Sequence, residues 1–313
     1  MKYRTMIALM LISAGTSYAQ KTAIISQPQY EVIYDYQVVK GSDETEKYLT
    51  MLQIGNTCAK FSDYAAYQLD SVSQLPKVSA DSIEKYQKQT LLELYCFEPT
   101  VFQNYPSGKL TYHDVILPNA YSYEENLPIT DWTLNEDTAT ICGYLCQQAT
   151  TTYGGRKWIV WYAPEIASGY GPWKFGGLPG LVLAAENEEH IFHFTATSIR
   201  KSSVPLTFQA DAQRLSIKRD RFVKDKIRFE SADDPMSLIP VESLSSIAVT
   251  KGDGDRTVIT MNGIPFRKFM ERTSQRTSTA ADGTKIIKIG GKSEDNISGG
   301  DSSSVNYVPL ELE

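Results

Sequence analysis

Three histidines, four cysteines and 37 acids are the side chains from which this 313-residue chain could build a reactive centre. His190 and His193 flank Ile191-Phe192, and Ile191-Phe192-His193-Phe194-Thr195 alternates with period two. On a strand, positions three apart point to opposite faces, so the two imidazoles are not expected to share a metal. A Ser-His-Asp arrangement would have to draw on one of these or on His113, and no G-x-S-x-G elbow accompanies them. Ser82-Ile83-Glu84-Lys85 matches S-x-x-K, as does Ser198 to Lys201 on an expected strand, but neither has companion S-D-N or K-T-G motifs. Asp81 and Glu84 read better as a capping box that opens a helix running to about Gln89. Paired carboxylates of glycosidase type stay open, because their separation is not written in a sequence.

Cys58, Cys96, Cys142 and Cys146 permit three disulfide connectivities in an oxidising compartment. If Cys142 to Cys146 is extended, the thiols sit about 13 Å apart, beyond bonding reach, and a bulge or helical turn at Gly143 would reverse that. The C-x-x-x-C spacing without supporting histidines is a poor zinc pattern. No metal and no cofactor is expected.

The densest motif is Gly171-Pro172-Trp173-Lys174-Phe175-Gly176-Gly177-Leu178-Pro179-Gly180-Leu181. Proline fixes φ and glycine takes positive φ at no steric cost, so Leu178-Pro179-Gly180 suits a type II turn, with Trp173 and Phe175 anchoring the backbone to a core. The alternative is a row of backbone N–H groups offered to an anion. No G-x-G-x-x-G or P-loop pattern is present, and the apolar run that follows reads as a buried strand rather than a helix. Gly171, Pro172, Trp173, Gly177, Leu178, Pro179 and Gly180 are therefore read as a strand-launching loop, structural or partner-binding.

The elements that must position these residues are mostly strands. Val32, Tyr34, Tyr36 and Val38 alternate with Glu31, Ile33, Asp35 and Gln37, the pattern of a half-buried strand. Further strands are expected at Lys47 to Ile54, around Cys58 to Tyr64, at Val101 to Tyr105 and at Leu110 to Leu117. Ile141 to Tyr153 and Arg156 to Ala163 form a hairpin about Gly154-Gly155. In the second of these, Trp158, Val160 and Tyr162 take one face and Ile159 and Trp161 the other, which places the strand centrally. Strands at Leu181 to Ala185 and His190 to Arg200 follow, then a basic amphipathic helix over Gln209 to Phe229. That helix could lie on an anionic membrane surface or cover one face of a sheet. The chain closes with a hairpin about Gly252 to Asp255, a helix over Phe266 to Gln275 and a polar Gly/Ser-rich linker. The expected fold is mainly β, a curved antiparallel sheet of half-barrel type with one or two helices packed on one side.

Lys2 and Arg4 precede an apolar run, and Ser17-Tyr18-Ala19 places small residues where signal peptidase prefers them, predicting cleavage before Gln20. No cysteine follows the cleavage site, so lipid attachment is not expected, and no stretch is long enough to span a membrane. Loss of Lys2 and Arg4 moves the net charge from −6 to −8. That acidity argues against a nucleic-acid partner.

Gly143-Tyr144, Cys146, Ala149-Thr150, Gly155-Arg156, Trp161-Tyr162, Gly171-Pro172, Lys174-Phe175 and Gly177-Leu178-Pro179-Gly180-Leu181 together resemble the signature of the GLPGLI family of exported bacterial proteins. Asn104-Tyr105-Pro106-Ser107-Gly108 is similar to the family's central turn, and Tyr307-Val308-Pro309-Leu310-Glu311-Leu312-Glu313 to its ending. Val182 stands where the family commonly has Ile. The resemblance implies export and a shared fold, and brings no catalytic residues. The organisation expected is a signal peptide over 1–19, one β-rich domain over 20–289, a linker over 290–304 and a C-terminal tail strand over 305–313. The function expected is non-catalytic: binding a lipid, peptide or partner protein of the envelope on a concave face. The alternatives are a hydrolase of envelope polysaccharide or peptide, and an accessory subunit of an outer-membrane transporter.

Overall fold

The structure is a computed structural model that describes residues 22–40, 44–73, 79, 97–127, 131–211, 213–232, 234–251, 257–262, 264–266, 276–279, 285–288 and 309–312. The expected signal peptide, the helix from Asp81, Cys96, the Gly252 to Asp255 turn, nearly all of the helix after Phe266 and the Gly/Ser linker lie outside these residues.

Strands β1 (Thr22–Ser26), β2 (Pro28–Lys40), β3 (Glu44–Gly55) and β4 (Ala59–Asp63) open the chain and lead into helix α1 (Tyr64–Ser73). Then come β5 (Thr100–Gln103), β6 (Lys109–Ile116), β7 (Asn119–Asn126), β8 (Thr133–Ile141), β9 (Tyr144–Tyr153) and β10 (Arg156–Ala163). The motif loop separates these from β11 (Leu181–Asn187), β12 (Phe192–Lys201), β13 (Leu206–Gln209), β14 (Leu215–Ser216) and helix α2 (Arg219–Glu230). Small strands β15 (Ile247–Lys251), β16 (Thr257–Met261), β17 (Ile264–Phe266), β18 (Arg276–Thr279) and β19 (Lys285–Lys288) follow.

Twelve strands make one sheet in the order β14-β7-β6-β5-β4-β3-β2-β12-β11-β10-β9-β8, antiparallel throughout except where β14 runs parallel to β7. The end strands β14 and β8 do not pair with each other, so the sheet stays open. It is nonetheless strongly curled. Tyr153 on β9 donates to Glu125 on β7 at 3.3 Å, although nine strand spacings separate the two in the order and would place them about 43 Å apart in a flat sheet. The half-barrel expected from the sequence is thus the observed form.

Period-two alternation decides which side chains enter the curl. Val32, Tyr34, Tyr36 and Val38 are buried on the concave face, as are Trp158, Val160 and Tyr162. Inside, Tyr36 stacks on Phe194 at 4.3 Å, and Phe61 meets the rings of Phe97 and Phe194 edge-on. Helix α1 lies on the convex face, where Tyr67 donates to the opposite-facing Glu31 at 2.7 Å. Its start is set by Asp63, whose Oδ1 accepts from the amides of Ala65 and Ala66, while Oδ2 takes the amide of Phe97. Helix α2 supplies the helix expected over the sheet, setting Phe222 against the concave-face rings of Tyr112 and Tyr123.

Two expectations are corrected. None of the described residues between Gln209 and Arg219 is helical: β13 pairs with β1, Asp211 accepts the Gln213 amide, and β14 adds to β7 before α2 begins. Cys142 and Gly143 are not within a strand but form the tight β8–β9 turn, with φ of 51° and 84°, both left-handed as a type I′ turn requires. Of the expected C-terminal tail strand only residues 309–312 are described, and they are joined to the sheet by hydrogen bonds from the Leu312 amide to the Gly154 carbonyl and from Arg156 to the Pro309 carbonyl.

On the convex face His113 packs among Phe102 and Phe208 at 5.3 and 5.6 Å. Burial, with the charges of Arg214 and Lys60 adding to it, lowers its pKa from 6.5 to about 3. A depressed histidine contributes stability that is present at neutral pH and is lost as pH falls from 6.5 towards 3, at about 1.4 kcal/mol per unit of displacement. His113→Phe is therefore expected to lose less stability than the parent between pH 7 and pH 4, read from urea midpoints at the two pH values.

Candidate functional site

The Gly171 to Leu181 segment runs into the mouth of the curled sheet and fills it. An antiparallel bridge between Tyr170 and Gly176 closes the loop, and the Phe175 amide bonds back to the Pro172 carbonyl at 3.0 Å. Gln103, whose concave-facing position on β5 is fixed by alternation, donates its amide to both the Gly171 and the Trp173 carbonyls at 2.9 Å. Trp132 secures the Gly176 carbonyl at 2.9 Å. Trp173 and Phe175 are fully buried, as their expected anchoring role requires, and both contact Trp158. Gly171, Pro172 and Leu178 are buried, while Gly177 and Pro179 lie at the surface. Leu181 then starts β11, its amide bonded to Ile166. The expected type II turn is not formed: Gly177 has φ of 82°, but Gly180 is not left-handed. Gly180 is constrained instead by contact, since a Cβ there would lie 2.4 Å from the Ala163 carbonyl oxygen.

The residue that the glycine pattern concealed is Lys174. Its ammonium has no exposure and sits 2.7 Å from Glu125 and 2.6 Å from Glu311. It donates to the hydroxyls of Tyr123 and Tyr153 at 3.0 and 3.2 Å, and the rings of Tyr112, Tyr123, Tyr153 and Trp173 surround it at 4.9–5.5 Å. Arg219, from the first turn of α2, bridges the same two carboxylates. Two cations and two anions thus join the motif loop, β7, α2 and the C-terminal tail. Burial opposes the lysine's charge, but Glu311, Tyr153 and Glu125 outweigh it and hold the pKa above the ordinary value. The loop presents a caged cation inward rather than a cradle for an anion.

Beside this cluster the concave face holds a half-open cavity of about 110 Å³. Tyr36, Tyr48, Phe97, Tyr112, Phe192 and Phe222 give it aromatic walls, and α2 and residues 309–311 complete it. Its polar wall centres on Lys226, whose ammonium lies 2.9 Å from Glu98, 3.4 Å from Asp114 and 3.3 Å from Glu230, and donates to the Val115 carbonyl at 2.6 Å. Burial raises the Asp114 pKa. Lys226 pulls it back, and Glu98 and Glu230 add to the rise.

The histidines do not behave as the strand pattern implies. His190 lies in the turn before β12 with φ of 53°, which swings its ring onto that of His193 at 6.2 Å. Both Nδ1 atoms approach Glu186, at 3.1 and 3.4 Å. Among the described residues no set of three His, Cys, Asp or Glu side chains is arranged to hold a metal. The described cysteines, Cys58, Cys142 and Cys146, are all free thiols, Cys142 exposed in its turn and the other two buried. No helix among the described residues is long and apolar enough to cross a membrane.

Neither a protein-family model nor a curated protein matches the chain. Two solved structures of PNGF-II, in P21 and C2 space groups, are similar to 63% of it at 14% and 15% identity, each with a TM-score of 0.42. The likeness covers 33% and 32% of those chains, so this chain spans about a third of their length. A LolA superfamily protein from Nitrosomonas europaea is similar over 57% of this chain and 88% of its own, at 8% identity and a TM-score of 0.25.

Proposed function

We propose that the protein is an exported, non-catalytic binding protein of the bacterial envelope, of the GLPGLI type, whose curled sheet takes an apolar segment of a lipid, peptide or partner protein into the cavity beneath α2. The observation that carries this reading is the aromatic-walled cavity on the concave face, with a few polar groups at one side, the composition ligand sites commonly show. Its volume is close to that of a single ring or a short stretch of acyl chain, since an apolar cavity of about 150 Å³ accepts benzene. The leader-like residues 1–19 support export, and the motif from Gly143 to Leu181 supports the family. The test is native mass spectrometry of the mature chain purified from its own envelope. An adduct is expected, and Val38→Phe, which adds volume at the cavity wall, should abolish it while leaving the thermal midpoint within a few degrees. A bare mature mass for the parent, obtained under conditions that keep other lipid carriers loaded, would sink the reading.

A further inference from the structure

We infer that the open groove between α2 and the β9–β10 turn is an acceptor site for an extended acidic peptide, a glutamate between apolar residues, and that residues 309–312 are its exchangeable resident. The site lies beside the cavity beneath α2, and the inference stands whatever fills that cavity.

The first ground is how the tail is held. The Pro309 carbonyl accepts from Arg156 at 2.9 Å, and the Leu312 amide donates to the Gly154 carbonyl at 2.8 Å. Any extended segment offers such backbone groups, so these bonds fix its direction and register without reading its sequence. Gly154 keeps the crossing open, since a Cβ there would lie 3.0 Å from the Glu311 Cγ. The selective contact is the carboxylate between the two bonds. Glu311 is 6% exposed, with one oxygen 2.6 Å from Lys174 and the other 2.5 Å from Arg219. Two charge-assisted contacts to a buried carboxylate select glutamate over glutamine.

The second ground is that the acceptor side is furnished by other elements. Lys174 also has Glu125 at 2.7 Å and the hydroxyls of Tyr123 and Tyr153 at 3.0 and 3.2 Å, so withdrawal of Glu311 leaves its ammonium paired. The sequence that precedes the tail, residues 290–304, is polar and rich in glycine and serine. That is the composition of a tether, which lets a docked end leave and return.

The third ground is that the site is larger than its occupant. The groove, of about 740 Å³, is lined by Thr152, Tyr153, Val223, Lys224 and Ile227 together with Leu312. A space of that size accommodates a whole ligand, yet Leu312 stays 50% exposed in it. A larger apolar residue after the glutamate would cover more of Tyr153 and Ile227 than the protein's own leucine does.

A specific protease site placed within residues 290–304 lets the complete mature protein fold with its tail and then frees that tail. A fluorescent peptide of residues 305–313 is added in excess to the nicked protein, and its entry is followed by anisotropy. Saturable exchange is expected. Glu311→Gln in the peptide should weaken binding at least about ten-fold, and Leu312→Phe should strengthen it about three-fold. If the peptide stays out while the nicked protein keeps its near-ultraviolet circular dichroism, or if the protein unfolds as its tail is diluted away, the tail is a fixed part of the core and the inference falls. Equal binding of the parent and Glu311→Gln peptides would overturn the selection for an acid. A Leu312→Phe peptide no tighter than the parent would overturn the claim that the groove exceeds its resident. None of these results bears on the native adduct expected of the cavity, so the two readings fail separately.

Discussion

Lys174→Met is expected to lower the free energy of unfolding by about 3–5 kcal/mol, a large share of the total for a single domain, measured as a shift in the denaturant midpoint. The substitution keeps most of the volume of the side chain but removes the ammonium that faces Glu125 and Glu311. Arg219 alone then has to serve two carboxylates that are 17% and 7% exposed, and the hydroxyls of Tyr123 and Tyr153 lose their donor. The cost arises chiefly from the charge left behind, so Lys174→Met/Glu311→Gln should lose less than the sum of the two single changes. A chain ending at residue 308 removes Glu311 together with the Pro309 and Leu312 tethers and should lose at least as much as Glu311→Gln alone. Additive single and double losses would mean that the lysine and the tail do not act as one unit.

The alternation that places Tyr34, Tyr36, Trp158 and Tyr162 on the concave face is a local property, and it was legible from the sequence together with the Gly154-Gly155 hairpin. So were the anchoring of Trp173 and Phe175 and the strand launched at Leu181. The cage around Lys174 was not, because its members come from β6, β7, β9, the motif loop and the tail, and only the curling of the sheet brings them together. A lysine among glycines and aromatics gives no local sign of burial, and charged side chains of this type are rarely buried unless paired. The same holds for Lys226 and Asp114, which meet across α2 and β6. Helix α1 had a readable signal in Asp63, a residue of N-cap type, but the apolar run through β4 hid where the period changes. His190 and His193 were separated by assuming one strand, and a single left-handed residue was enough to reunite them.

Gly180→Ala should destabilise the protein by more than the ~1 kcal/mol of an ordinary glycine replacement, and Gly180→Val by more again. The added Cβ would lie 2.4 Å from the Ala163 carbonyl oxygen, 2.6 Å from its carbon and 2.8 Å from the Pro164 nitrogen. These are backbone atoms at the end of β10, the strand that carries the fully buried Trp158 and Val160, so relief requires β10 and the motif loop to move apart. Gly177 sits three residues away and is constrained for a different reason, its φ of 82°. Asparagine tolerates a left-handed backbone but not a missing space. Gly177→Asn should therefore be nearly neutral and Gly180→Asn as damaging as Gly180→Ala, with both read from thermal midpoints. The opposite ranking would show that backbone conformation, not the approach of two chain segments, is what the second glycine supplies. A Gly180 variant that melts like the parent yet loses the native adduct would instead make the loop a contact surface for the ligand or partner.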